Sequence, residues 1–341
     1  MGNKTVLVTA IGAAPAFTVI DALLEKNYRV IGCDVYPEEY IPATKRLSAF
    51  YNAPYASDED MYIEFIEDVI EKEKVDILLP LLYVEIDVIC RNIERIEQRG
   101  VYIAISAKDE IDTIRDKWEL YFKIKGLFNS IEDIEERGSF RSIPTDLASN
   151  LDFDNLTYPI VLKPRTGRSS VGLYRVRHEA QLGFALSNIL SSDDDYKELE
   201  EYIVQPMIKG EVVTVDISRD GKGHMNICAR LEKLRTRKGV GTVVKVFKDP
   251  ILSLVCRKIA DLLDIRGAAN LEFIKGEGSG LYYFLECNPR FSNGVAFSKL
   301  AGINFAKDHI DILEGKSIEE IKDYKEGFLA RSFKEHWTLE K

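Results

Sequence analysis

The chain opens strand, helix, strand, and that order restricts the fold more than any other feature. Thr5 to Thr9 reads Thr-Val-Leu-Val-Thr, Phe17 to Lys26 carries apolar residues at helical spacing, and Arg29 to Asp34 is a second strand-like run. Two strands joined through a helix are predicted to lie parallel, because a parallel pair needs a crossover connection. The pattern continues with a helix over Tyr62–Glu73, a nearly all-apolar strand over Val75–Pro80, a helix over Glu85–Arg99 stopped by Gly100, and a strand over Val101–Ser106. Strands this apolar expect cover on both faces. The first domain, residues 1–107, is therefore read as a doubly wound α/β unit.

The second half has a different character. Asp112 to Gly126 reads as one amphipathic helix. From Tyr158 short strands with turn signals dominate: Ile160–Lys163, Leu173–Val176, Ile203–Met207, Val212–Ser218 and His224–Leu231. A helix over Leu252–Asp264 precedes a hairpin, Ala269–Ile274 and Leu281–Cys287, whose glycine-rich connection supplies the positive φ values of a tight turn. The 341 residues are enough for about two domains.

Charge and composition exclude several classes. The sum of 46 basic and 56 acidic residues is −10, with no long basic block, so a nucleic-acid partner is not expected. No apolar run reaches the roughly 18 residues of a spanning helix, and the N-terminus has no signal-peptide h-region. The five cysteines are scattered and never in CxxC spacing, which argues against a disulfide framework or structural zinc site and for a cytoplasmic setting.

Four segments could carry chemistry. Ala10–Pro15 lies where a dinucleotide-binding turn would, and Asp34 ends the next strand as a ribose-binding acid would. The pattern is not GxGxxG, however, and a packing role is the stronger reading. Residues 159–172 place Lys163 on a strand before a loop with two glycines, Ser169, Ser170 and two arginines, whose N–H groups could cradle phosphate. Neither this loop nor Gly315-Lys316-Ser317 is a Walker P-loop. Glu286 and Asn288 sit two apart on a strand and share a face. Glu272 lies on the partner strand, on the same face only if the register is even, which the sequence leaves open. Two carboxylates and an amide oxygen suit Mg²⁺, and Arg290 follows at once. In Val204–Glu211, apolar residues could sandwich an adenine whose edge backbone groups read, and Glu211 could take ribose hydroxyls. The triplet Asp193-Asp194-Asp195 reads as a solvated loop.

In this order these segments resemble the ATP-grasp superfamily, and most closely one half of the carbamoyl phosphate synthase large subunit. The tell-tale stretch is Leu285-Glu286-Cys287-Asn288-Pro289-Arg290, followed by Ser298-Lys299-Leu300-Ala301-Gly302. The resemblance implies a pre-ATP-grasp domain over residues 1–107 and a two-lobed ATP-grasp unit over 108–341, with a lid at about 142–207 and a central antiparallel sheet at about 208–325. It implies that Lys117 and Lys163 contact ATP phosphates, that Ser169 and Ser170 close over them, and that Gln205, Met207 and Glu211 hold adenosine. Glu272, Glu286 and Asn288 would hold Mg²⁺ (or Mn²⁺), with Arg290 beside the transferred phosphate. The implied activity is ATP-dependent ligation of a small carboxylate to an amine or thiol through an acyl phosphate, by a chain that is not a complete carbamoyl phosphate synthase; the sequence leaves the oligomeric state open, a homodimer being the candidate. Arg230, Arg235, Arg237 and Lys238, with Gly239 and Gly241, read as a mobile substrate loop, Arg235 being the foremost cation for the substrate carboxylate. The competing readings are a non-catalytic ATP-binding regulator and a dinucleotide-dependent oxidoreductase.

Overall fold

The computed structural model describes residues 4–105, 108–133, 138–152, 155–167, 171–191, 198–236, 240–332 and 334–338. The acidic triplet at 193–195 lies outside them. Strands β1 (Thr5–Val8), β2 (Arg29–Asp34), β3 (Ala49–Asn52), β4 (Ile77–Leu79) and β5 (Tyr102–Ile103) form a five-stranded sheet ordered β3-β2-β1-β4-β5, parallel throughout. Helices α1 (Ala16–Glu25), α2 (Glu59–Glu73), α3 (Tyr83–Arg91) and α4 (Ile93–Glu97) connect its strands. The single helix expected over 85–99 is broken at Asn92. Alternation along β1 sends Val6 and Val8 to one apolar core and Leu7 to the other, so the sheet is covered on both faces.

The helix expected over 112–126 is two helices, α5 (Lys108–Arg115) and α6 (Lys117–Ser130). Asp116 breaks them: its carboxylate accepts hydrogen bonds from the N–H groups of Trp118 and Glu119 as the N-cap of α6. Beyond lie β6 (Phe140–Ser142), β7 (Asp146–Leu147), β8 (Ile160–Pro164), β9 (Tyr174–Val176), helix α7 (Glu179–Ser191) and β10 (Tyr202–Pro206). Strands β7, β10, β8 and β9 form a small antiparallel sheet packed on α7.

The remaining strands are β11 (Gly210–Arg219), β12 (Met225–Arg235), β13 (Gly241–Phe247), β14 (Gly267–Gly276), β15 (Tyr282–Asn288) and β16 (Gly327–Ala330), with helices α8 (Pro250–Leu262), α9 (Val295–Ala301) and α10 (Phe305–Leu313). They build a seven-stranded sheet ordered β16-β13-β12-β11-β14-β15-β6. Away from its bulges, residues alternate between the two faces. Val213, Val215, Ile217, Ile227, Ala229, Leu271 and Phe273 face a core closed by α6 and α8. The other face carries Thr214, Asp216, Arg230, Asn270 and Glu272. Part of that face is covered by α9 and α10, whose Phe305 and Ile310 join Ile20 and Leu23 of α1 in one core. The first and last parts of the chain therefore share a hydrophobic interior. All five cysteines are buried and free.

Candidate active site

The site lies on the polar face of the seven-stranded sheet, and a β-bulge creates it. In β15, Tyr282 and Phe284 point into the apolar core. Strict alternation would send Glu286 and Asn288 there too. The pairing runs Phe273 to Phe284 but Glu272 to Glu286, which leaves Leu285 as an extra residue. The bulge reverses the remaining side chains, so Cys287 takes the core position and Glu286 and Asn288 turn to the polar face. Glu272 then stands directly across from Glu286, a placement that sets Cβ atoms about 4.5–5.5 Å apart. The even register left open by the sequence is the one found.

Two lysines approach this carboxylate pair from other elements. Lys163, on β8, is buried, and burial and the charge of Lys117 bring its ammonium down to about 8, against the opposing pull of Glu286 and Glu272. Lys117 opens α6. Its Nζ donates to the carbonyls of Gly167 at 2.7 Å and Arg165 at 3.2 Å, and burial lowers it. The Asp116 cap that begins α6 also ion-pairs with Arg165 at 2.5 Å, so one carboxylate fixes both Lys117 and the start of the 165–167 loop. Sequence reasoning saw Lys117 as a mid-helix lysine; the Asp at 116 is the signal that it starts a helix.

The two acids differ. Burial first, then the neighbouring Glu286, pushes Glu272 up to about 7, with Arg235 and Arg290 pulling the other way. Burial pushes Glu286 up as well, but Lys117, Lys163, the Asn288 amide and Arg290 outweigh it and hold it below the usual carboxylate range. Asn288 Nδ2 donates to Glu286 Oε1 at 3.0 Å, and Arg290 Nη2 donates to Asn288 Oδ1 at 3.4 Å. Two facing carboxylates and an amide oxygen fit a hard divalent cation, which would remove their mutual repulsion. Among the described residues no group of three or more acidic, histidine or cysteine side chains gathers to hold a metal, so a metal here would lean on other oxygens such as phosphate.

A small open cleft adjoins Lys117, lined by Leu120, Tyr121, Ile143, Phe284, Leu285 and Gln205 among others. Gln205 is buried and donates to Thr145 Oγ1 at 2.8 Å. Met207 is half-buried just beyond, its N–H on the Pro159 carbonyl at 2.9 Å. Glu211 does not join them. It is an odd-numbered residue of β11, on the opposite face from Glu272, and it is exposed and ion-paired to Lys233 at 2.6 Å. Arg230 is also removed from any substrate role. It is fully buried, ion-paired to Asp216, and donates to Ser298 Oγ at 2.6 Å and Ser292 Oγ at 3.0 Å. Arg235 is exposed and its charge reaches Glu272. Ser169, Ser170, Arg237 and Lys238 lie outside the described residues.

At the N-terminal sheet, Asp34 is buried and accepts from the N–H groups of Gly12 at 2.8 Å and Tyr36 at 3.0 Å. The acid a dinucleotide would need is satisfied by the chain itself.

Residues 198–336 match the family described as "ATP-grasp in the biosynthetic pathway with Ter operon". The carbamoyl phosphate synthase large chain of Clostridium botulinum (strain Alaska E43 / Type E3) is 27% identical over 296 residues, covering 78% of this chain and 25% of that one. The C-terminal part of the chain is thus similar to ATP-grasp proteins. It spans about a quarter of the length of the curated relatives it matches. Among solved structures, the biotin carboxylase domain of the Hydrogenobacter thermophilus 2-oxoglutarate carboxylase, crystallised with MgADP and bicarbonate, aligns with a TM-score of 0.74 at 19% identity over 95% of this chain and 73% of that one. The N5-carboxyaminoimidazole synthetase of Staphylococcus aureus with ADP aligns at 0.69 and 17% identity over 93% of this chain and 79% of that one. The mixed parallel and antiparallel sheets are thus a fold shared with these solved structures. No helix among the described residues is long and apolar enough to cross a membrane.

Proposed function

We propose that the ATP-grasp unit is an ATP-dependent carboxylate–amine ligase that works through an acyl phosphate. The observation that carries this reading is the Glu272–Glu286 pair facing Lys117 and Lys163 across the bulge of β15. Lys117 and Lys163 bind the ATP phosphates, and Gln205 and Met207 border the adenosine. Glu272, Glu286 and Asn288 would hold Mg²⁺, which when bound neutralises charge on the triphosphate. Arg290, tethered to Asn288, stands beside the γ-phosphoryl group and stabilises its charge during transfer. A substrate carboxylate oxygen attacks the γ-phosphorus, ADP leaves, and an amine displaces phosphate from the acyl carbon. The N-terminal α/β unit serves as the pre-ATP-grasp domain.

The comparisons support the reading in kind: one neighbour is described with MgADP and bicarbonate and another as a synthetase with ADP. The homodimer is part of the same proposal, the first neighbour being described as a domain dimer. The test is ADP release from MgATP across pools of amino acids and small carboxylates, with mass identification of the product. A pool that releases ADP and yields an amide is the expected result. Tight MgATP binding with no ADP from any pool would replace the ligase with a nucleotide-binding regulator, and NADH binding without ATP binding would replace it with an oxidoreductase.

A further inference from the structure

The polar face of the seven-stranded sheet continues past Glu272, away from the lysines, to a second set of charges. Arg331 follows β16 directly, and its N–H donates to the Thr242 carbonyl at 2.8 Å. Its half-buried guanidinium donates from Nη2 to the Asn293 carbonyl at 2.6 Å and stacks over Phe297, 5.1 Å from the ring centroid. It makes no ion pair among the described residues. Burial and the nearby charge of Arg230 disfavour its charged form, and only Glu232 favours it. Glu232 lies two residues beyond Arg230 on β12, paired with Val244 of β13. Its Oε2 is buried with no hydrogen-bond partner. The Glu232 side chain fits there because residue 241 is glycine; a Cβ at that position would collide with its carboxylate. Arg331 and Glu232 feel each other's charge yet stay beyond the 4.0 Å of an ion pair.

A fixed cation and a fixed anion, each short of partners and held apart, complement a molecule that carries both charges. We propose that Arg331 and Glu232 form the acceptor subsite and that the nucleophile is an α-amino acid, its carboxylate on Arg331 and its ammonium on Glu232. This rests on the ligase reading above and narrows it, since it names the amine. In the reaction the ammonium gives one proton to the Glu232 carboxylate. The freed nitrogen forms a C–N bond with the acyl carbon as the C–O bond to phosphate breaks, and the second proton leaves with the phosphate.

The test compares each of the twenty protein amino acids with its methyl ester in the full chain, by ADP release, in wild type, Arg331→Ala, Arg331→Lys and Glu232→Gln. MgATP affinity by calorimetry and thermal melting control for the nucleotide site and the fold. In the wild type the ester should show a KM about tenfold to hundredfold above that of the acid. In Arg331→Ala the acid should rise to the level of the ester, and Arg331→Lys should restore part of the gap. Glu232→Gln should lower kcat and move the acid limb of its pH profile, with MgATP affinity unchanged throughout. Equal use of ester and acid by the wild type would overturn the subsite, as would MgATP binding with no amino acid promoting turnover. Failure of the wild type to bind MgATP would overturn the ligase reading instead.

Discussion

Both principal sheets have acids at or beside their strands, yet the fold treats these acids in opposite ways. In the parallel sheet, Asp34 is wrapped by the N–H groups of Gly12 and Tyr36. Close by, Glu85 accepts from Thr9 Oγ1 at 2.6 Å and caps α3. In the antiparallel sheet, Glu272 and Glu286 face one another, and what offsets their charge is two lysines and an arginine reaching in from other elements. The difference separates acids that complete a fold from acids the fold leaves incomplete. Where neighbouring backbone already supplies the donors, a ligand has nothing to add. Where like charges are held together at a cost, a ligand of opposite charge gains what the fold has forgone.

The contrast can be broken most severely at Leu285. Inserting one alanine directly after it shifts the alternation of the residues that follow and turns Glu286 and Asn288 toward the apolar core, so a loss beyond about 5 kcal/mol is expected; circular dichroism melting should show no cooperative transition near that of the parent. Glu286→Ala comes next. ADP release should fall about a thousandfold with melting retained, while Asp34→Asn should stay within about twofold of wild-type turnover and lose about 1 kcal/mol of stability. A matching loss of turnover in Asp34→Asn would erase the distinction between the two sheets. The pH profile sharpens it further. Glu272 near 7 must be ionised to meet a cation, and Lys163 near 8 must stay protonated to meet phosphate. Activity of the free enzyme should therefore fall about tenfold per unit below 7 and above 8, and a profile flat from pH 6 to 9 would refute these assignments.

The smallest effect has the most telling sign. Because Glu272 holds its proton more tightly folded than unfolded, it favours the folded state at acid pH and loses that contribution as pH rises from 4.5 through about 7. Glu272→Gln should therefore abolish turnover yet raise Tm by a few degrees at pH 8, the gain vanishing near pH 4. A lower Tm at pH 8 would mean the pair is not strained.

Much of this was legible in the residues, and the failures have physical causes. The strand–helix–strand opening, the glycine-rich hairpin and the spacing of Glu286 and Asn288 are local patterns, and each is found. The bulge at Leu285 is not local: it depends on how β15 pairs with β14, and the sequence of either strand is silent on it. Lys117 opens a helix because Asp116 caps it, and apolar periodicity alone runs straight through that break. Glu211 sits one strand position from the right face because parity, not proximity in sequence, decides which side of a sheet a residue joins. Arg331 was missed altogether, since a short exposed edge strand in a polar tail has little apolar periodicity to betray it.

The interior that α1 shares with α9 and α10 has a practical consequence. Ion pairs from Lys26 to Asp311 at 2.5 Å and to Glu314 at 3.0 Å seal the same seam. Severing the backbone near residue 107 would free neither piece, since each would expose an oily surface shaped for the other. Two co-expressed fragments should instead reassociate, which makes the molecule a natural candidate for a split reporter whose signal depends on the ends of the polypeptide finding each other.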